Sequence, residues 1–216
     1  LTKILETKNK QERVVKLYDL PASPNARRVR IFIAEKGLDI PKEEIDLATG
    51  YHRSPEYLKK NIMGKMPVLE LDDGTTISES HAICGYLEEI YPEPSLMGQT
   101  PLEKAQIEMW NRRIELDLLN PILNAFVHGH PMWKGIREQV AEFVPVCVKN
   151  ATSSLEWLET SLEGRKYIAT DRYSIADITA QCTLLMGKAV GVRATEEQKN
   201  INSWWERVTS RPTARA

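Results

Sequence analysis

A hydroxyl, a proline and an amide follow one another in the stretch Leu17-Tyr18-Asp19-Leu20-Pro21-Ala22-Ser23-Pro24-Asn25-Ala26-Arg27-Arg28-Val29. Ser23 stands where a helix N-cap belongs, and Pro24 at the first helical position, where its missing N–H removes no bond. Helix N-termini expose unpaired N–H groups and the positive end of the aligned peptide dipoles, so a hydroxyl delivered there can help to hold an anion. A Ser-Pro pair also caps helices with no further role, and these residues are compatible with both readings. His128-Gly129-His130 brings two imidazoles close in sequence. No third ligand accompanies them at metal-site spacing, so a loop or helix terminus is expected there and no metal.

Two elements must position the Ser23 hydroxyl. Val15 and Leu17 alternate with Lys16 and Tyr18, predicting a short strand that runs into the turn, and the helix after the turn ends at Gly37. Ile45 and Leu47 alternate in Glu43–Leu47, a second predicted strand. A helix between two strands makes a β-α-β unit, with parallel strands and a right-handed crossover. Gly50-Tyr51-His52-Arg53 reads as a loop, and Ser54-Pro55-Glu56 as another Ser-Pro helix start, running to Lys60. Met66–Leu71, the Asp72-Asp73-Gly74 turn and Thr75–Ile77 predict a hairpin. Pro67 has no N–H to give a central strand, which indicates an edge or a special peptide bond. A helix from His81 to Ile90 then stops before Pro92 and Pro94.

No strand pattern follows. Thr100-Pro101-Leu102-Glu103 is a capping box with proline at N1, opening a helix towards Phe126. Gly135 to Leu162 is predicted helical, kinked at Pro145. Ser174-Ile175-Ala176-Asp177 is a second box, with Tyr173 and Ile178 spaced as a hydrophobic staple, and Thr195-Glu196-Glu197-Gln198 opens a last helix carrying Trp204 and Trp205. The expected organisation is a polar extension (1–13), a small mixed-sheet domain (14–93), a linker (94–100) and an all-helical domain (101–216).

Composition narrows the function. The 29 basic and 30 acidic residues balance to a net charge of −1, which gives no field for nucleic acid. There is no apolar run long enough to span a bilayer and no signal-peptide pattern, so no membrane partner is expected. Cys84, Cys147 and Cys182 are odd in number and far apart, which disfavours disulfides and zinc and points to a reducing, cytoplasmic setting.

The chain resembles the cytosolic glutathione S-transferases from about Val14 to Pro212. Four segments carry the resemblance, in order: Ser23-Pro24-Asn25-Ala26-Arg27-Arg28-Val29, Met66-Pro67-Val68, Glu79-Ser80-His81-Ala82-Ile83 and Ser174-Ile175-Ala176-Asp177. The resemblance implies an α/β thioredoxin-like N-terminal domain, an all-α C-terminal domain, glutathione as cosubstrate, a small hydrophobic electrophile, a role in detoxification and a homodimer.

It also implies roles for residues. Ser23 matches the catalytic hydroxyl of serine-type members (theta, phi, zeta), and Asn25 is a rival donor to the glutathione sulfur, as in nu-like members. Tyr18 is near the phenol of tyrosine-type members but is better read as a sheet-face residue. No cysteine occupies the Ser23 position, which argues against the classes that form mixed disulfides. Met66 would offer its backbone to the cysteinyl part of glutathione, before a cis peptide bond at Pro67. Glu79 and Ser80 suit the γ-glutamyl ammonium and carboxylate. His52, with Arg53, and Lys65 suit the glycine carboxylate. Met109 and Arg113, on the long helix that also carries Trp110 and Arg112, are candidates for the electrophile pocket. Alternative chemistries are glutathione-dependent reduction of a disulfide or peroxide, isomerisation, dehalogenation, or non-catalytic glutathione binding by a stress-response protein.

Overall fold

A computed structural model of the protein describes residues 14–216, and the predicted polar extension lies outside the described residues. The chain divides between Pro94 and Ser95 into two compact units. The first contains β1 (Val14–Asp19), α1 (Pro24–Glu35), β2 (Lys42–Glu44), α2 (Pro55–Lys60), β3 (Val68–Leu71), β4 (Thr76–Ser78) and α3 (Ser80–Ile90). Its sheet has the order β2-β1-β3-β4; β1 and β2 are parallel, and the other two pairs are antiparallel. This is the expected thioredoxin-like arrangement.

Two strands are shorter than the alternation predicts. β2 ends at Glu44 rather than Leu47. The Ile45 N–H still reaches the Asp19 carbonyl at 2.9 Å. The Asp46 carboxylate then accepts the Ala48 N–H at 2.8 Å, diverting the chain into a single tight turn over Leu47–Thr49. β3 begins at Val68 rather than Met66, after a proline that has no N–H for the ladder.

The second unit is helical: α4 (Pro101–Arg113), a π-helical turn (Ile114–Leu119), α5 (Asn120–Gly129), α6 (Phe143–Ser161), α7 (Ile175–Gly187) and α8 (Lys199–Thr209). The π turn precedes Pro121, which cannot donate to the Asp117 carbonyl four residues back; the Ser154 hydroxyl donates to that carbonyl instead, at 2.6 Å. Leu96, in the stretch read as a linker, is buried, and its carbonyl accepts the Ile175 N–H at 2.9 Å.

The helix expected from Gly135 starts only at Phe143. Gly135 turns with φ 77°. The Gln139 amide then donates to the Val127 carbonyl at 2.8 Å, and the Val140 N–H to His128 Nδ1 at 3.1 Å, holding this segment against the end of α5. Pro145 is therefore the third residue of α6, where it removes no intrahelical bond, and not an interior kink. The last helix also starts late, at Lys199, because Thr195 and Gln198 close a turn on themselves: the Thr195 N–H donates to Gln198 Oε1 at 3.0 Å and the Gln198 N–H to the Thr195 carbonyl at 3.2 Å.

Almost every side of α7 is buried. At its start the fully buried Asp177 accepts the backbone N–H groups of Ser174 and Ile168 (both 3.0 Å) and the Trp204 indole N–H at 2.8 Å, tying α7 to α8. Burial pushes its carboxyl up to about 6, against the pull of these donors.

Candidate active site

Sheet register decides which sequence motifs meet. Tyr18 on β1 is opposite Val68 on β3, and Val68 is opposite Ser78 on β4. The turn after β1, the Met66-Pro67 segment before β3 and the Glu79-Ser80 segment after β4 therefore share one end of the sheet. β2 is parallel to β1, with Asp19 opposite Glu44, so the chain that continues to His52 leaves from the same end.

The turn that carries Ser23 is clamped from its own helix. Arg30 Nη1 donates to the buried Asp19 carboxylate at 2.7 Å, and its Nη2 to the Pro21 carbonyl at 3.1 Å. The Ser23 N–H donates to the Leu20 carbonyl at 2.8 Å. Ser23 then caps α1 in extended backbone, with Pro24 at the first helical position. Its Oγ accepts the Ala26 N–H at a long 3.4 Å, and among the described residues its O–H donates to no partner. Ser23 and Asn25 are half-buried, and the Asn25 side chain makes no hydrogen bond to a described residue. Two donors thus stand at the positive end of α1 with unused capacity.

Tyr18 has none. It is 2% exposed and donates its hydroxyl to Glu70, with Lys60 Nζ lying 4.9 Å from its ring centroid. Burial, and then the Glu70 hydrogen bond, raise its pKa, the reverse of what an activating phenol needs. It is a sheet-face tyrosine.

Met66 is buried with Tyr18, Ile45, Tyr57 and Val68, so its side chain serves the core. The Met66-Pro67 peptide is cis, as the resemblance implies. The preceding Lys65 carbonyl is held by the Tyr57 hydroxyl at 3.0 Å and the Asn61 amide at 2.8 Å. Gly64 has φ 59°, and a Cβ on it would lie 2.7 Å from the His52 carbonyl oxygen. Only glycine permits this approach, which draws Lys65 up beside the His52-Arg53 pair. His52 Nδ1 is buried without a hydrogen-bond partner, and burial, then the Arg53 charge, lower its pKa.

Glu79, the residue ahead of α3, has φ 70°, an uncommon conformation for a side chain of this size. Strained backbone of this kind marks sites where a side chain or N–H must be aimed. Glu79 is exposed, whereas Ser80 is buried and accepts from Arg28 Nη1 at 2.9 Å. Arg28 is itself 1% exposed and belongs to α1. The two helix starts are thus joined by a buried cation. Residue reading did not single out Arg28, Asp19 or Arg30; the two arginines follow the Ser-Pro-Asn turn on one helix, but only the tertiary contacts reveal their partners.

Met109 and Arg113 lie on α4 of the helical unit. Met109 is 40% exposed, and the Arg113 guanidinium stacks 4.8 Å from the Trp110 ring centroid. His128 and His130 mark the end of α5, and each Nδ1 accepts a backbone N–H, from Val140 at 3.1 Å and Met132 at 3.3 Å. Among the described residues no group of three or more His, Cys, Asp or Glu side chains could hold a metal ion.

Comparison with known proteins decides the family. Residues 17–95 match the glutathione S-transferase N-terminal domain, and residues 118–212 its C-terminal domain. The chain is 38% identical over 215 residues to glutathione S-transferase 2 of Saccharomyces cerevisiae, covering 96% of this chain and 90% of the relative. The chain belongs to the glutathione S-transferase family. It is similar to the crystal structure of Gtt2 from Saccharomyces cerevisiae, with a TM-score of 0.86 and 38% identity, covering 93% of this chain and 98% of that one. Maleylacetoacetate isomerase of Pseudomonas aeruginosa is 33% identical over 181 residues, covering 82% of this chain and 84% of the relative.

Proposed function

We propose that this glutathione S-transferase binds glutathione at the shared sheet end and presents its thiolate to a small hydrophobic electrophile. The observation that carries this is the unspent Ser23 hydroxyl at the positive end of α1, in a turn clamped by Asp19 and Arg30. A free thiol has a pKa of about 8.5, so lowering it by two units requires about 2.7 kcal/mol of thiolate stabilisation. A hydrogen bond to a charged acceptor supplies about 1.5–3 kcal/mol and a helix N-terminus about 0.3–1 kcal/mol. Together they cover the requirement, with Asn25 as an auxiliary donor.

Around that sulfur, the Met66 backbone takes the cysteinyl unit. Ser80, backed by Arg28, takes the γ-glutamyl carboxylate, and Glu79 faces its ammonium. His52 and Lys65 face the glycine carboxylate. Met109 and Arg113 are proposed for the electrophile. A homodimer is part of the reading: Ile62 and Met63, 83% and 52% exposed beside Lys65, supply uncovered apolar surface for association. So are a cytoplasmic setting, which the three buried free cysteines suit, and a part in detoxification. No helix among the described residues is long and apolar enough to cross a membrane. The relatives favour transfer over reduction of a disulfide or peroxide and over non-catalytic binding.

The test is the pH–rate profile of Ser23→Ala with a model electrophile. Its kinetic pKa should rise by about one to two units, with a ten- to hundredfold loss of kcat/KM near neutral pH. An unmoved profile, or one that moves only in Asn25→Ala, removes Ser23 from the role. A second reading, isomerisation of a conjugated cis double bond, is favoured by the likeness to the Pseudomonas isomerase. In this reading the bound thiolate adds to the double bond, the resulting single bond rotates, and the thiolate leaves. Product carrying no glutathione would identify it.

A further inference from the structure

The end of α7 builds a cleft that the thiol site does not use. Gly187 closes a tight reversal: a Cβ on it would lie 2.7 Å from the Val192 carbonyl oxygen, and the Val192 N–H returns to the Gly187 carbonyl at 2.9 Å. The reversal brings Lys188 and Arg193 to one rim. Beneath them a cavity of about 190 Å³ opens between α7 and α8, lined also by Leu184, Ile201, Asn202 and Trp205. Leu184 and Ile201 are 6% and 0% exposed, so the floor is apolar. Lys188 Nζ lies 5.2 Å from the Trp205 ring centroid. The Asn202 amide N–H is already given to the Thr195 carbonyl at 2.7 Å. Among the described residues neither Lys188 nor Arg193 is paired with a carboxylate, and Arg193 reaches only the Lys188 carbonyl, at 3.5 Å.

An apolar cleft with an aromatic wall and two cations lacking a counter-charge is complementary to an anion with an apolar body. The volume is below the range of about 300–1,000 Å³ usual for drug-sized ligands, which limits that body to one ring or a short branched chain. The geometry points to a binding site in the helical unit for a small aromatic or branched monocarboxylate, its carboxylate between Lys188 and Arg193 and its apolar body against Trp205 and Leu184. The inference uses none of the residues assigned to glutathione and does not rest on the proposed chemistry.

Calorimetric titration of the full chain with phenylacetate tests this, against phenylacetamide as the neutral analogue and acetate as the charge without a ring. Phenylacetate should bind at one site per chain, and each control about tenfold or more weakly, the loss expected when a charge-assisted contact or the apolar contact is removed. The double variant Lys188→Gln, Arg193→Gln should lose binding by a similar factor while keeping its thermal unfolding midpoint and its glutathione affinity. Ala194 also lines the cavity, and Ala194→Leu, which adds bulk there and keeps both charges, should lose it too. Equal affinity for phenylacetamide, binding that survives in the double variant, or no binding at millimolar phenylacetate would each overturn the proposal.

Discussion

In the proposed glutathione site, Ser80 and His52 each carry a role that a single substitution tests. Ser80 accepts from a buried guanidinium, so its O–H remains to donate while Arg28 adds positive charge behind it. Ser80→Ala should therefore weaken glutathione binding and also remove the buried hydrogen bond from Arg28 Nη1, costing about 1.5–3 kcal/mol of stability. A raised KM for glutathione together with a lowered urea midpoint would bear this out; a change in KM alone would not. His52 has a lowered pKa and an unpartnered buried Nδ1, so it is largely neutral near pH 7. A carboxylate placed beside it favours the imidazolium. Binding of S-methylglutathione, which has no thiol to titrate, should tighten as pH falls from about 7 to 5.5, and His52→Gln should flatten that dependence.

At the scale of elements, two buried charges hold helix ends in place. Lys36, at the end of α1, extends its ammonium to Glu88 and to the carbonyls of Tyr91 and Pro94, the last two at 2.7 Å, closing the C-terminus of α3. Lys36→Met removes one partner of a buried pair and should cost about 3–5 kcal/mol, read as a lower urea midpoint. Asp177 works at the opposite pole, the start of α7. Its carboxyl, pushed up to about 6 by burial, lies above the ordinary aspartate value of about 3.9, so the folded chain holds a proton through a window where the unfolded chain has lost it. Its contribution to stability is therefore fully present below about pH 4 and declines as pH rises through about 6. Unfolding free energies measured across that window should show this component in the natural chain and lack it in Asp177→Asn. That variant should also be less stable by about 1–3 kcal/mol near neutral pH, because an amide nitrogen cannot accept from the donors that converge there.

For the whole molecule, association is the property that follows from the proposed reading. The 24.6 kDa chain should sediment at twice that mass, and charged substitutions at Ile62 and Met63 should shift it towards monomer. Because the division falls between Pro94 and Ser95, limited proteolysis is expected to respect the two compact units.

Local chemistry was enough to read much of this protein from its sequence. Ser-Pro at two helix starts, the capping boxes at Thr100 and Ser174, the Asp-Gly hairpin and the β-α-β order all depend on neighbours within a few residues. Four motifs in order were likewise enough for the family. Element boundaries depart from the sequence pattern where side chains compete with the backbone, as at Asp46, Gln139 and Gln198. Register settled what spacing could not. Pairing Tyr18 with Val68, and Val68 with Ser78, carries three separate motifs to one sheet end. Long-range contacts then consumed the Tyr18 hydroxyl and supplied Arg28 to Ser80. Residues 52 apart in the chain make those contacts, and no local pattern encodes them.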